Sequence, residues 1–294
     1  MKRVYINLLS NSMGDTIASV PYVSEYQKKQ GDEVYFSTNN FYIDILKDSY
    51  PNLIFVGRNS DFSYDKKIDI DFDFTQNIQL GYAKQLGFEN PKYIKPIILN
   101  RKTERKIKNK YITISVQSTL QCKYWNHPDG KKVQPLQPYW NQLCGHLRKL
   151  GYTPVVVERE LTWGTHPFFN GTPNKANKKI GLEFNELMSI IEHSEFFIGL
   201  SSGLSWVAHA MGKKVALISN FTEDWNEFDL NDENYIRITN KSVCHGCFNK
   251  IKVEHDFNPA DWYWCPLHKN TDRQFECHKS ITPEMVLEKI EKWM

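Results

Sequence analysis

Val4-Tyr5-Ile6-Asn7-Leu8-Leu9, a helical pattern from about Asp15 to Lys29, Gly31, and then Val34-Tyr35-Phe36-Ser37 form the stretch that decides the architecture. A short apolar run reads as a buried strand, and a glycine just past a helical pattern is placed to end it. Strand, helix and strand in this order make a βαβ unit, whose two strands run parallel. Downstream, Phe41 to Lys47 reads as a helix and Leu53-Ile54-Phe55-Val56 as a third strand.

The pattern restarts with the strand Tyr111-Ile112-Thr113-Ile114-Ser115-Val116. A helix at Tyr139 to Leu150 is closed by Gly151, and Pro154-Val155-Val156-Val157-Glu158 follows as a strand. Asn185 to His193 reads as helix, Glu195 to Gly199 as strand, Trp206 to Met211 as helix and Lys214 to Ile218 as strand. Alternation in both halves predicts an α/β protein with two parallel-sheet domains facing a cleft. The basic run Arg101 to Lys110 reads as a solvated linker, which places the domains at 1–105 and 106–241. A cysteine-rich segment at 242–281 and a C-terminal helix at 282–294 complete the chain.

Composition agrees with this size of fold. A chain of 294 residues suits two α/β domains, and 40% hydrophobic residues are enough for two cores. A net charge of +3 demands no polyanionic partner. The N-terminus runs straight into a strand, with no signal peptide or membrane span, so a cytoplasmic protein is expected. In that compartment six cysteines read as thiols or metal ligands before disulfides.

Four segments carry candidate chemistry. Asn11-Ser12-Met13-Gly14-Asp15-Thr16 joins strand one to helix one, where α/β domains place binding residues. Gly14 lets a ligand approach the backbone; Asp15 is either a general base or a helix N-cap, and capping is the commoner use. Gly199-Leu200-Ser201-Ser202-Gly203-Leu204-Ser205-Trp206 joins a buried strand to a helix. Small residues there expose amides to an anion such as a pyrophosphate, and Ser201, Ser202 and Ser205 add hydroxyls; the plainer reading is a serine-capped turn. Lys123, after the first strand of the second half, is either a phosphate ligand or a surface lysine. Glu158, at a strand's C-terminal edge, is either an acceptor for a ribose hydroxyl or, equally well, an ordinary strand-end glutamate. Asp69 and Asp71 are spaced like a metal-binding pair, but period-two alternation from Lys67 to Phe74 explains them as strand. His209 reads as a packed helical histidine.

Cys244, Cys247, Cys265 and Cys277 follow a Cys-x2-Cys-x17-Cys-x11-Cys spacing. Four thiolates suit a tetrahedral zinc or iron ion with a structural role, because no coordination position stays open. His245, His255, His268 and His278 leave a mixed ligand set open. Cys122 and Cys144 read as ordinary buried thiols.

These pieces, in this order, resemble the bacterial autotransporter heptosyltransferases, relatives of the lipopolysaccharide heptosyltransferases. Met13-Gly14-Asp15 matches the family's Gly-Asp element, and Cys122-Lys123-Tyr124-Trp125-Asn126 its lysine motif. Phe197 to Trp206 resembles the phosphate loop, and the four cysteines with Asp261-Trp262-Tyr263-Trp264-Cys265-Pro266 resemble an iron-binding finger. The resemblance implies a GT-B fold and an inverting glycosyltransferase with Asp15 as base and Lys123 on the donor diphosphate. Gly14 and the Ser201–Ser205 loop would line the donor site, without a catalytic divalent metal. It further implies ADP-heptose as donor, a protein or glycan hydroxyl as acceptor, and assembly into homo-oligomers. Family members carry a longer N-terminal region that contributes to acceptor binding, so the acceptor is the part least expected to transfer. Competing expectations are a glycosyltransferase acting on a DNA base, a non-catalytic nucleic-acid module built on the finger, and a sugar-nucleotide scaffold without catalysis.

Overall fold

The structure is a computed structural model that describes residues 1–58, 60–99, 104–125, 138–165 and 168–294, with backbone only for 162–165 and 168–170. Asn126 of the lysine motif and Arg101, Lys102 and Thr103 of the basic run lie outside the described residues.

The first half holds β1 (Arg3–Leu8), α1 (Met13–Gln30), β2 (Glu33–Thr38), α2 (Asn40–Leu46), β3 (Ile54–Gly57), β4 (Lys66–Ile70) and α3 (Ile78–Gln85). Its strands form a parallel sheet in the order β3-β2-β1-β4. Helix α1 ends as expected: Gly31 takes the left-handed conformation at φ 68° and donates its N–H to Gln27. The strand expected to reach Phe74 stops at Ile70, because the Gln85 amide of α3 takes both backbone groups of Asp71.

The second half holds β5 (Tyr111–Ile114), α4 (Pro138–Lys149), β6 (Thr153–Glu158), β7 (Thr162–Thr165), β8 (Phe168–Gly171), β9 (Asn177–Ile180), α5 (Phe184–Glu192), β10 (Phe197–Leu200), α6 (Gly203–Ala210), β11 (Val215–Ile218) and β12 (Tyr235–Ile238). Six of these strands form a parallel sheet in the order β12-β11-β10-β5-β6-β9, while β7 and β8 pair as a separate hairpin. Every residue of β5, β10 and β11 is buried, as central parallel strands covered on both faces require. The short helix α7 (Glu276–Lys279) lies in the cysteine-rich segment, and α8 (Pro283–Ile290) packs on α4 and β12.

Helices α1 and α6 pack against one another between the two sheets, so Ile17, Val20, Trp206 and Val207 belong to one buried cluster shared by both halves. A second core lies on the far face of the larger sheet, under α4 and α8. A third joins the cysteine-rich segment to the loops after β5 and β11 through Leu120, Cys122, Phe221, Ile251, Trp264 and Phe275.

Candidate active site

In open parallel sheets, ligands bind beyond the C-terminal ends of the strands, where the strand order reverses. In the smaller sheet the order reverses between β1 and β4, and β1 leads into Ser10–Asp15. In the larger sheet it reverses between β10 and β5, which lead into Ser201–Ser205 and Lys123.

Asp15 is not the helix cap. Ser12 caps α1, its hydroxyl accepting the Asp15 N–H at 3.1 Å, so Asp15 sits at the third helical position. Its carboxylate takes a hydrogen bond from the Ser10 hydroxyl. Burial raises its pKa above the usual carboxylate value, opposed by bonds from Ser10 and Ser12 and by the nearby Lys123 charge, while Asp71 adds to the rise. A partly desolvated carboxylate beside a cation is suited to receive a proton. The loop beneath is fixed by Arg58, whose guanidinium donates to the carbonyls of Leu8 (2.7 Å), Leu9 (3.3 Å) and Ser10.

Gly14 and Gly203 bring the two helix starts together. A Cβ on Gly14 would lie 2.9 Å from Trp206 Cδ1, and one on Gly203 would lie 3.0 Å from Met13 Cβ. Each helix N-terminus therefore touches the other, and unsatisfied amides and positive dipole ends converge. The three serines of the second loop divide their tasks. The Ser202 hydroxyl, at the N-cap of α6, makes no cap bond and is buried without a partner among the described residues. The Ser201 hydroxyl donates to Glu227 at 2.6 Å. Ser205 is fully buried and donates to the Leu200 carbonyl at 2.7 Å, so of this residue only the backbone N–H is offered to a ligand. Glu227 was not foreseen from the sequence. It is buried, takes Thr222 Oγ1 at 2.8 Å, and pairs with buried Arg237 at 2.7 Å.

Lys123 ends a short 3-10 turn, Gln121–Lys123. Its ammonium lies 5.7 Å from the ring centres of both Phe221 and Phe248, and among the described residues no carboxylate pairs with it directly. Glu158 ends β6 and points its Oε1 at the loop after β5, taking the N–H groups of Val116 and Gln117 (2.8 Å) and the Ser115 hydroxyl at 3.0 Å. Burial outweighs these bonds and pushes its pKa up to about 7. Oε2 has no partner among the described residues.

Two bland expectations agree with the geometry. Asp69 holds Asn7 (2.6 Å) and Lys67 (3.0 Å) on the strand. His209 is fully buried, stacked on Phe228 at 4.1 Å and held by Tyr93 OH at 3.2 Å, and burial lowers its pKa to about 3.

Cys244, Cys247, Cys265 and Cys277 line one cavity, and the Sγ atoms of Cys244 and Cys247 lie 3.6 Å apart. Metal–sulfur bonds of about 2.3 Å at tetrahedral angles separate two thiolates by about 3.8 Å, so this pair is spaced for one ion. No cysteine is in a disulfide. His268 and Glu276 each place a ligand atom within 4.8 Å of Cys244, but Glu276 is engaged by Arg273 at 2.6 and 2.8 Å. Cys144 is an ordinary buried thiol, whereas Cys122 lines the same cavity as the four.

Two parallel-sheet domains whose switch points meet, one offering a carboxylate and the other a lysine and a helix N-terminus, define a GT-B glycosyltransferase. No protein-family model matches the chain. The autotransporter heptosyltransferase Aah of Escherichia coli is 33% identical over 300 residues, 97% of this chain and 72% of Aah. The chain belongs to the autotransporter heptosyltransferase family. The iron-containing dodecameric glycosyltransferase TibC of enterotoxigenic E. coli H10407 is 29% identical and superposes with a TM-score of 0.89, over 99% of this chain and 76% of TibC. TibC has also been solved in complex with ADP-D-β-D-heptose. BimC of Burkholderia thailandensis, 26% identical over 97% of this chain and 67% of its own length, is named an inactive member.

Proposed function

We propose that this chain transfers a heptose from ADP-heptose to an acceptor hydroxyl, on a protein or a glycan, with inversion. The observation that carries this reading is the meeting of Asp15, Lys123 and the N-terminus of α6 at the two switch points. The ADP-heptose complex of TibC supports the donor. Asp15 takes the proton of the acceptor hydroxyl as its oxygen attacks the anomeric carbon. The bond from that carbon to the diphosphate oxygen breaks, and ADP leaves with the bonding pair. Lys123, the Ser202 hydroxyl and the amides of Gly203, Leu204 and Ser205 hold the developing charge. Glu158 accepts a ribose hydroxyl through Oε2.

The four cysteines would hold an iron or zinc ion, which supplies a cross-link between loops. Iron is favoured by the likeness to TibC, as is assembly of several copies. No helix among the described residues is long and apolar enough to cross a membrane, and we place the enzyme in the cytoplasm.

A DNA acceptor loses its support where the basic run is described. Arg105 donates to the carbonyls of Ile107 and Asn109, and Lys106 pairs with Glu186 at 3.2 Å. A family member without catalysis has a precedent in BimC, which is named inactive. Asp15→Asn separates that reading from ours. We expect ADP release from ADP-heptose to fall by about 10²- to 10⁴-fold while calorimetric affinity for the donor changes little. Unchanged turnover in this variant removes Asp15 as the base.

A further inference from the structure

The cysteine-rich finger has no task in the transfer reaction, yet it touches the turn that carries Lys123 from three directions. Trp262, three residues before Cys265, accepts the Gln121 N–H on its carbonyl at 3.3 Å. Its indole N–H returns a bond to Gln121 Oε1 at 3.2 Å, and its ring lies against Tyr124 at 6.0 Å. Trp262 thus grips the residues on either side of the Cys122-Lys123 pair. Phe248, next to Cys247, lies under the Lys123 ammonium. The same ring packs on Phe72 (5.0 Å) and Phe74 (5.1 Å) of the first half, and neighbouring Asn249 donates to the Phe74 carbonyl at 2.8 Å. Cys122 fills the third direction, inside the cavity of the four thiols.

A lysine chain is flexible, and an ammonium that must meet a diphosphate gains from a fixed base and a shaped floor. Here the turn is bonded to the finger at Gln121, and the floor is a pair of aromatic faces, a favourable bed for a cation. We infer that Trp262 and Phe248 are positioning residues for Lys123, so that the finger sets the reach of the lysine toward the donor diphosphate. This rests on the reading of Lys123 as the diphosphate ligand.

The test is a double-mutant cycle on metal-loaded protein, read as ADP affinity by calorimetry. Lys123→Ala is expected to weaken ADP by about tenfold or more, and Trp262→Ala by about three- to tenfold. If Trp262 acts through the lysine, Lys123→Ala with Trp262→Ala binds no more weakly than Lys123→Ala alone. Trp262→Phe keeps an aromatic ring beside Tyr124 and the backbone bond to Gln121, and removes the indole N–H bond to Gln121 Oε1. It gives the same non-additivity with a smaller single loss, and serves if the alanine variant loses its metal or its fold. Additive losses in either cycle overturn the inference and leave the proposed function standing. A Lys123→Ala protein that binds ADP like the parent overturns both.

Discussion

Glu158 is the residue whose ionisation most directly links stability to the site. Its pKa stands at about 7 against an ordinary 4.5 because burial outweighs three hydrogen bonds. The folded state therefore binds a proton between those values more readily than the unfolded chain. The stabilisation is therefore fully present below 4.5 and is lost as pH rises to about 7, on the order of 3 kcal/mol in all. Glu158→Gln keeps an oxygen for the N–H groups of Val116 and Gln117 and cannot titrate. Its melting temperature, followed from pH 4.5 to 7.5, should be flatter than the parent's; an identical slope would place the titration elsewhere. Asp15 shows what local sequence conceals. Ser10, Ser12 and Asp15 are all good caps, and only the register of α1 assigns the cap to Ser12 and leaves the carboxylate available. Glu227 and Arg237 were invisible for a different reason. Each looks like a surface charge until the chain folds them into a buried pair behind Ser201.

At the scale of elements, the function depends on how closely α1 and α6 approach. Gly14→Ala forces a methyl to 2.9 Å from the buried Trp206 ring, which has to shift and take the start of α6 with it. We expect a destabilisation of about 1–3 kcal/mol in denaturant melts, and weaker ADP binding than that of the parent. A variant with parental stability and affinity would show that the contact is slack. The βαβ opening, the strands β5, β6, β10 and β11 and the four-cysteine spacing were legible in the sequence, because periodicity and spacing are local. Strand β12 was not, since Arg237 breaks its apolar run and is satisfied only after folding, by Thr222 and Glu227 of the preceding loop. Helix α3 was missed as well: its cap, Asn77, is bound across the domains to the carbonyls of Trp225 and Glu227.

For the whole molecule, the sequence predicts two domains facing a cleft, and the structure adds that they share a core along α1 and α6. The finger braces them at a second point, through Phe248 and Asn249 against Phe72 and Phe74. Both contacts leave the strand ends of the two sheets turned toward one space. A nucleotide sugar bound as proposed would touch both halves, and its binding would then stabilise the native fold as a unit. The size of that stabilisation follows its affinity, roughly 2.7 kcal/mol at a hundred times the dissociation constant.

The most direct test is therefore a thermal-shift titration with ADP-heptose, ADP, UDP-sugars and GDP-sugars side by side. A saturable rise in melting temperature is expected with ADP-heptose and ADP, retained in Asp15→Asn and diminished in Lys123→Ala. A rise with UDP- or GDP-sugars in place of the adenine nucleotides would contradict the assigned donor, and no rise with any of them would contradict the site itself.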